Sequence, residues 1–112
     1  MKATKYLSEF LKADTIRLSG PQEFEIIGVE ETEFKDEKTG KLVRKLVLLF
    51  GDDQPKLTLN STNTRELIEA FGTDDTDDWI GKTIQVVYDK NVTFGGKKVG
   101  GLRVAVPSHS LA

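Results

Sequence analysis

Between Glu23 and Phe34 the inside–outside alternation of a β-strand reverses phase at a glycine. Phe24 and Ile26 share one face, whereas Val29, just past Gly28, falls on the other parity. A glycine at such a reversal marks a β-bulge or a sharp bend, because the backbone can shift its pleat there without a side-chain clash. The first strand of this chain is therefore bent.

The segments that follow read as a meander. Asp36-Glu37-Lys38-Thr39-Gly40 is a polar hairpin loop with Gly40 at a positive φ. Lys41 to Phe50 is the second strand, apolar on both faces from Leu46 onward. After the turn at Gly51 to Pro55, Lys56 to Asn60 alternates with Leu57 and Leu59 inward. The period then changes. Asn63, followed three residues later by Glu66, fits a capping box, and Leu67, Ile68 and Phe71 form the buried face of a helix over Thr64 to Phe71. Gly72 is the expected residue just past its end.

An acidic connector, Thr73 to Asp78, leads to Trp79-Ile80-Gly81 and a long final hairpin from Thr83 to Val106. With Gly95-Gly96 as its turn, Phe94 faces Lys97 and Val92 faces Val99. That register would set Ile84, Val86 and Tyr88 on the opposite face from Leu102, Val104 and Val106, so a bulge is expected at Gly100-Gly101. Beyond it Tyr88 should oppose Val104, Val86 should oppose Val106, and Asp89 should oppose Arg103. At the other end of the chain, Tyr6, Leu7, Phe10 and Leu11 form the stripe of a short helix over Thr4 to Ala13, with Thr4 as N-cap, and Gly20-Pro21 breaks the chain.

The order β-β-β-α-β-β, with a bent first strand, is that of a mainly β, five-stranded OB-like Greek-key barrel with one short helix between strands three and four. Closure would pair strand one with strand four and strand three with strand five. A small β-sandwich or an SH3-like barrel uses similar strands. At 112 residues the chain is sized for one domain, taken as 1–107 with 1–20 as an N-terminal extension and 108–112 as a flexible tail.

Little here suits catalysis. There is no cysteine, so disulfides, thiolate zinc sites and cysteine nucleophiles are excluded, and the single histidine, His109, lies in the tail. Gly95-Gly96-Lys97-Lys98 lacks the spacing of a P-loop and leads into a strand rather than a helix. Asp74-Asp75-Thr76-Asp77-Asp78 lacks the central glycine and distal glutamate of a calcium loop, and reads as aspartates capping a turn into Trp79. Trp79 reads as a core plug whose indole N–H stays available at the rim. No enzyme activity, cofactor, metal or small-molecule substrate is expected. No apolar run reaches the ~18 residues of a membrane span and the N-terminus lacks a signal core, so no membrane partner and a cytoplasmic location are expected.

The net charge of −2 hides a segregation. From Trp79 onward, five cations (Lys82, Lys90, Lys97, Lys98, Arg103) face one acid, Asp89, a net of +4; from Asn60 to Asp78, Arg65 faces six acids, a net of −5. In an OB-fold the loops joining strands one and two and strands four and five flank the binding face. Here those loops carry Lys35, Lys38, Lys41, Lys90, Phe94, Lys97 and Lys98. Cations beside an aromatic supply phosphate neutralisation and a stacking platform, the needs of a single-stranded nucleic-acid binder. Against this, Glu30 and Glu31 should fall opposite Arg44 and Lys45, Asp36 and Glu37 offset two lysines, and lysines on an exposed hairpin also deter edge-to-edge aggregation.

Asp78-Trp79-Ile80-Gly81-Lys82, Val92-Thr93-Phe94-Gly95-Gly96-Lys97-Lys98-Val99-Gly100-Gly101-Leu102-Arg103-Val104 and Leu59-Asn60-Ser61-Thr62-Asn63 together resemble a family of small, uncharacterised phage and prophage proteins. The resemblance spans about Tyr6 to Pro107. It implies no catalytic residues, but a phage or prophage setting in a host cytoplasm, where small OB-like proteins serve DNA replication or recombination. The chain departs from phage single-strand binders in ending Ser108-His109-Ser110-Leu111-Ala112, without an acidic tail. The expected function is a non-enzymatic module binding single-stranded DNA, accessory to a replication or recombination protein. The alternative is an interaction module that docks a protein partner without nucleic acid.

Overall fold

The computed structural model describes residues 10–107. The chain runs α1 (Ala13–Ser19), β1 (Gln22–Glu25), β2 (Gly28–Lys35), β3 (Leu42–Leu49), β4 (Leu57–Thr58), α2 (Ser61–Phe71), a 3-10 turn (Thr76–Trp79), β5 (Thr83–Asp89), β6 (Thr93–Phe94), β7 (Lys97–Lys98) and β8 (Gly101–Ala105). The fold is mainly β. Two antiparallel three-stranded sheets, ordered β1-β5-β8 and β2-β3-β4, are accompanied by the small β6-β7 hairpin and the two helices.

The phase reversal near Gly28 is where one sheet becomes the other. Ile26 still belongs to the first sheet: its N–H donates to the Lys82 carbonyl at 2.9 Å and its carbonyl accepts from Gly81 N–H at 2.7 Å. One residue later, Ile27 N–H donates to the Leu49 carbonyl of the second sheet at 2.9 Å. Phe24 and Ile26 are buried and Val29 packs against the same core from the other sheet. The Phe24 and Phe50 rings stack with centroids 4.6 Å apart, bridging the sheets across this bend. Ile16, Leu48, Leu57, Leu59, Leu67, Trp79, Ile84, Val86 and Val104 complete the interior. Each such side chain stabilises the fold by about 1.5–3 kcal/mol through loss of apolar surface to water.

Strand one does pair with strand four, as β1 with β5 (Phe24 opposite Ile84). The other half of the expected barrel closure is missing: β4 and β8 are not neighbours, and the two sheets stay open. A side chain spans the gap instead. Asn63, on the first turn of α2 and 3% exposed, donates from Nδ2 to the Leu102 carbonyl at 3.1 Å, and its Oδ1 accepts from Val104 N–H at 3.2 Å. Residues two apart on a strand point their backbone groups to one edge, so one amide side chain does for β8 what a strand residue would do. The partners also fix the amide orientation, since only Oδ1 can face an N–H and only Nδ2 a carbonyl.

This use of Asn63 corrects the expected cap. The N-cap is Asn60, whose side chain accepts from Asn63 N–H at 2.8 Å, and the helix starts three residues earlier than its apolar period suggested. Leu67 is buried, but Ile68, expected on the same buried face, is 37% exposed.

The N-terminal helix over Thr4 to Ala13 lies largely outside the described residues, as does the tail 108–112. At its described end the expectation fails. Phe10 forms a parallel bridge to Lys56, Leu11 N–H donates to the Lys56 carbonyl at 2.7 Å, and the helix begins only at Ala13.

In the final hairpin Phe94 faces Lys97 as expected, and a bulge forms at Val99–Gly100, both of whose N–H groups donate to the Val92 carbonyl. A two-residue excursion at Lys90–Asn91 on the other arm outweighs it. The Asp89 carboxylate stabilises that excursion by accepting from Asn91 N–H at 2.8 Å. Tyr88 therefore opposes Leu102 rather than Val104, Val86 opposes Val104 rather than Val106, and Asp89 opposes Gly101 rather than Arg103.

Replacing Asn63 tests its bridging role. Asn63→Ala leaves the buried Val104 N–H unpaired and the part-buried Leu102 carbonyl with only Arg103 Nη1 at 3.4 Å, and should cost about 1–3 kcal/mol in urea unfolding. Asn63→Asp should cost more at neutral pH, because it sets a carboxylate oxygen against the Leu102 carbonyl. A loss below about 1 kcal/mol for Asn63→Ala would show that β8 does not depend on the bridge.

Candidate nucleic-acid interface

The seven residues expected to meet nucleic acid sit on two hairpin tips. Lys35 ends β2, Lys38 lies in the connecting loop and Lys41 precedes β3, all three exposed. The loop is held by its own backbone. Asp36 N–H donates to the Lys41 carbonyl at 2.8 Å, Gly40 N–H to the Asp36 carbonyl at 2.7 Å, and the Asp36 carboxylate accepts from Lys38 N–H at 2.9 Å. Gly40 adopts the expected left-handed φ, 71°.

The second tip carries Lys90, Phe94, Lys97 and Lys98. Lys90 sits in the excursion after β5, and Lys97 and Lys98 form β7, all exposed. Phe94 pairs with Lys97 through the backbone of β6, while its side chain lies outside what the structure describes. The first tip extends the β2-β3-β4 sheet and the second the β5-β8 arm.

The cations differ in their partners. Arg44 is engaged by Glu33, directly opposite, at 3.3 Å and by Glu31, diagonally placed, at 3.4 Å. Lys56 pairs with Glu30 at 3.6 Å. The expected pairing of Glu30 and Glu31 with Arg44 and Lys45 thus holds only for Glu31, because the register sets Thr32 opposite Lys45. The expected Asp89–Arg103 pair is also absent: Arg103 lies opposite Val87 and its Nη1 reaches the Leu102 carbonyl at 3.4 Å. Among the described residues no carboxylate comes within ion-pair distance of Lys90, Lys97 or Lys98.

The arm beneath the second tip is braced by an aromatic ring. Gly100 holds a φ of 76°, and a Cβ there would run into the Tyr88 phenol, with Cζ at 2.6 Å. Tyr88 and Leu102 in turn pack on the core. Trp79 is a core plug as expected, 1% exposed, with its indole N–H donating to the Thr73 carbonyl at 3.0 Å. The acidic connector serves this plug: the Asp75 side chain accepts from Asp77 N–H and Asp78 accepts from the Thr73 hydroxyl.

One concavity has no counterpart in the sequence reading. A cavity of about 540 Å³ separates β3 from α2, lined by Val43, Lys45 and Leu46 on one wall and Ser61, Arg65 and Ile68 on the other. The only signal for it in the sequence is Ile68, an apolar residue on the helical period that the fold leaves uncovered.

Gly100→Ala should destabilise the domain by at least about 2 kcal/mol, combining left-handed backbone strain with the clash against Tyr88. Gly40→Ala, at a similar φ but with open space around it, should cost about 1 kcal/mol. Equal costs in urea unfolding would mean that Tyr88 does not brace the hairpin. No known protein family, curated protein or solved structure matches this chain, and its function must be argued from its own geometry.

Proposed function

We propose that the protein is a non-enzymatic, OB-like module that binds single-stranded DNA through its basic final hairpin, as an accessory to phage or prophage replication or recombination. The observation that carries this reading is the set of exposed ammonium groups of Lys90, Lys97 and Lys98, none of which makes an ion pair among the described residues. The one acid of that hairpin, Asp89, caps Asn91 N–H and makes no ion pair with them among the described residues. The bent first strand, the β1–β5 pairing and the helix placed before β5 support the OB-like reading of an open architecture. Lys35 and Lys41 would extend the contact, Lys38 adds charge nearby, and Phe94 would stack a base. The phage setting rests on the resemblance of the Trp79–Lys82 and Val92–Val104 segments.

Three phosphate contacts on a single strand correspond to a slope of about −2 in log affinity against log salt. Anisotropy of labelled oligothymidylate should therefore show affinity falling roughly tenfold or more between 50 and 200 mM salt. Lys97→Glu with Lys98→Glu should weaken binding about tenfold or more while leaving the melting temperature nearly unchanged, since both side chains are solvated. Absence of binding at low salt overturns the function, and unchanged affinity in the double variant removes the hairpin from it.

A further inference from the structure

Among the described residues, half of one edge of β3 has no strand beside it. Asp36 bonds to Lys41, so with the β2–β3 register residues 43, 45 and 47 turn their backbone groups toward β2. Leu42, Arg44, Leu46 and Leu48 turn theirs the other way. β4 covers that edge at Val47 and Leu48, and Leu59 N–H reaches the Leu46 carbonyl at 2.9 Å. At Asn60 the chain leaves for α2. Among the described residues the N–H of Leu46 and both backbone groups of Arg44 then have no backbone partner.

The 540 Å³ cavity runs along this bare edge, since residues from both faces of β3, Lys45 and Arg44, line it. Its far wall is one stripe of α2, Ser61, Thr64, Arg65 and Ile68, at the i, i+3, i+4, i+7 spacing. Ile68 and Val43 are each 37% exposed there, and Leu42 is 66% exposed beside it. No carboxylate lines the cavity. Lys45 and Arg65 make no ion pair among the described residues, whereas Arg44 is engaged by Glu31 and Glu33.

We propose that this groove takes an extended acidic peptide from a partner protein, added as a strand antiparallel to β3 that prolongs the line of β4. Backbone donors and acceptors on the β3 edge would hold the peptide main chain. Its alternate apolar side chains would cover Leu46 and Ile68, and its carboxylates would meet Lys45, on the face of β3 opposite Leu46, and Arg65 on the helix wall. The walls hold no aromatic ring on which a base could stack, which favours a peptide over a nucleic-acid strand here. The proposal is independent of the basic hairpin.

The probe is a fluorescein-labelled Glu-Val-Glu-Val-Glu-Val peptide, titrated against the full chain by anisotropy and by backbone amide NMR. Saturable binding is expected below about 1 mM, with shifts concentrated at Leu42 to Leu46 and Ser61 to Ile68. A peptide with proline for its central valine loses a main-chain donor and should bind about tenfold more weakly or worse. Lys45→Glu with Arg65→Glu should also weaken binding tenfold or more, with an unchanged circular dichroism spectrum. The proline comparison needs no protein variant, so it decides the matter even if the double variant misfolds. Absence of binding, indifference to the proline, or groove amides that respond to oligothymidylate and not to the peptide would each overturn the proposal.

Discussion

The architecture hangs on the side-chain amide of Asn63. The two sheets share a strand at the Ile26–Ile27 bend, so on that side they are covalently continuous. On the other side no backbone pairing among the described residues joins them, because β4 is two residues long and the chain turns into α2 before it can reach β8. One amide restores the connection by giving β8 a donor and an acceptor at strand spacing. Burial makes this an all-or-none arrangement, since either half left unpaired costs more than the intact bond contributes. Asn60 sets it up, for its cap bond to Asn63 N–H fixes the helix start that aims the amide at β8.

Charge is used differently on the two sheets. On the β2-β3-β4 sheet, Arg44 and Lys56 are matched to glutamates across or diagonal to them; such exposed pairs contribute only about 0–1 kcal/mol but cancel the local field. On the β5-β8 arm no ion pair forms among the described residues. That contrast separates an ion-paired scaffold from the basic tip. The β3–α2 groove is a third case, apolar along its walls and cationic at Lys45 and Arg65.

Much of this was readable in the residues, and the exceptions have physical reasons. The parity change around Gly28, the Leu57/Leu59 alternation, Gly40, Gly72 and the burial of Trp79 all came from strong local signals. α1 escaped notice because a seven-residue helix with one buried side chain, Ile16, has no period to detect. The hairpin register was misread because glycines advertise a bulge, while Lys90–Asn91 bends the opposite arm through an Asp89 side-chain bond that spacing does not display. Asn63 has the capping-box spacing with Glu66, but its side chain is taken by β8 and Asn60 caps the helix instead. The seven candidate contact residues were legible as loop lysines and an aromatic, but the groove was not, since it arises where β4 stops short.

The pairing of β1 with β5, and of β5 with β8, has a consequence for how the chain is made. The β2-β3-β4 sheet joins neighbours in sequence and can form once Thr58 is available. β1 must wait for Thr83–Asp89, and β5 for Gly101–Ala105. At ~5–20 residues per second, a growing chain spends on the order of seconds with one finished sheet and one orphan strand. Through that interval Phe24 lacks Ile84 opposite it and Ile26 lacks its backbone partners Gly81 and Lys82. The first strand in sequence thus finds its partner only after the whole β2-β3-β4 sheet and α2 have been made, and the sheet it belongs to is the last to be completed in time.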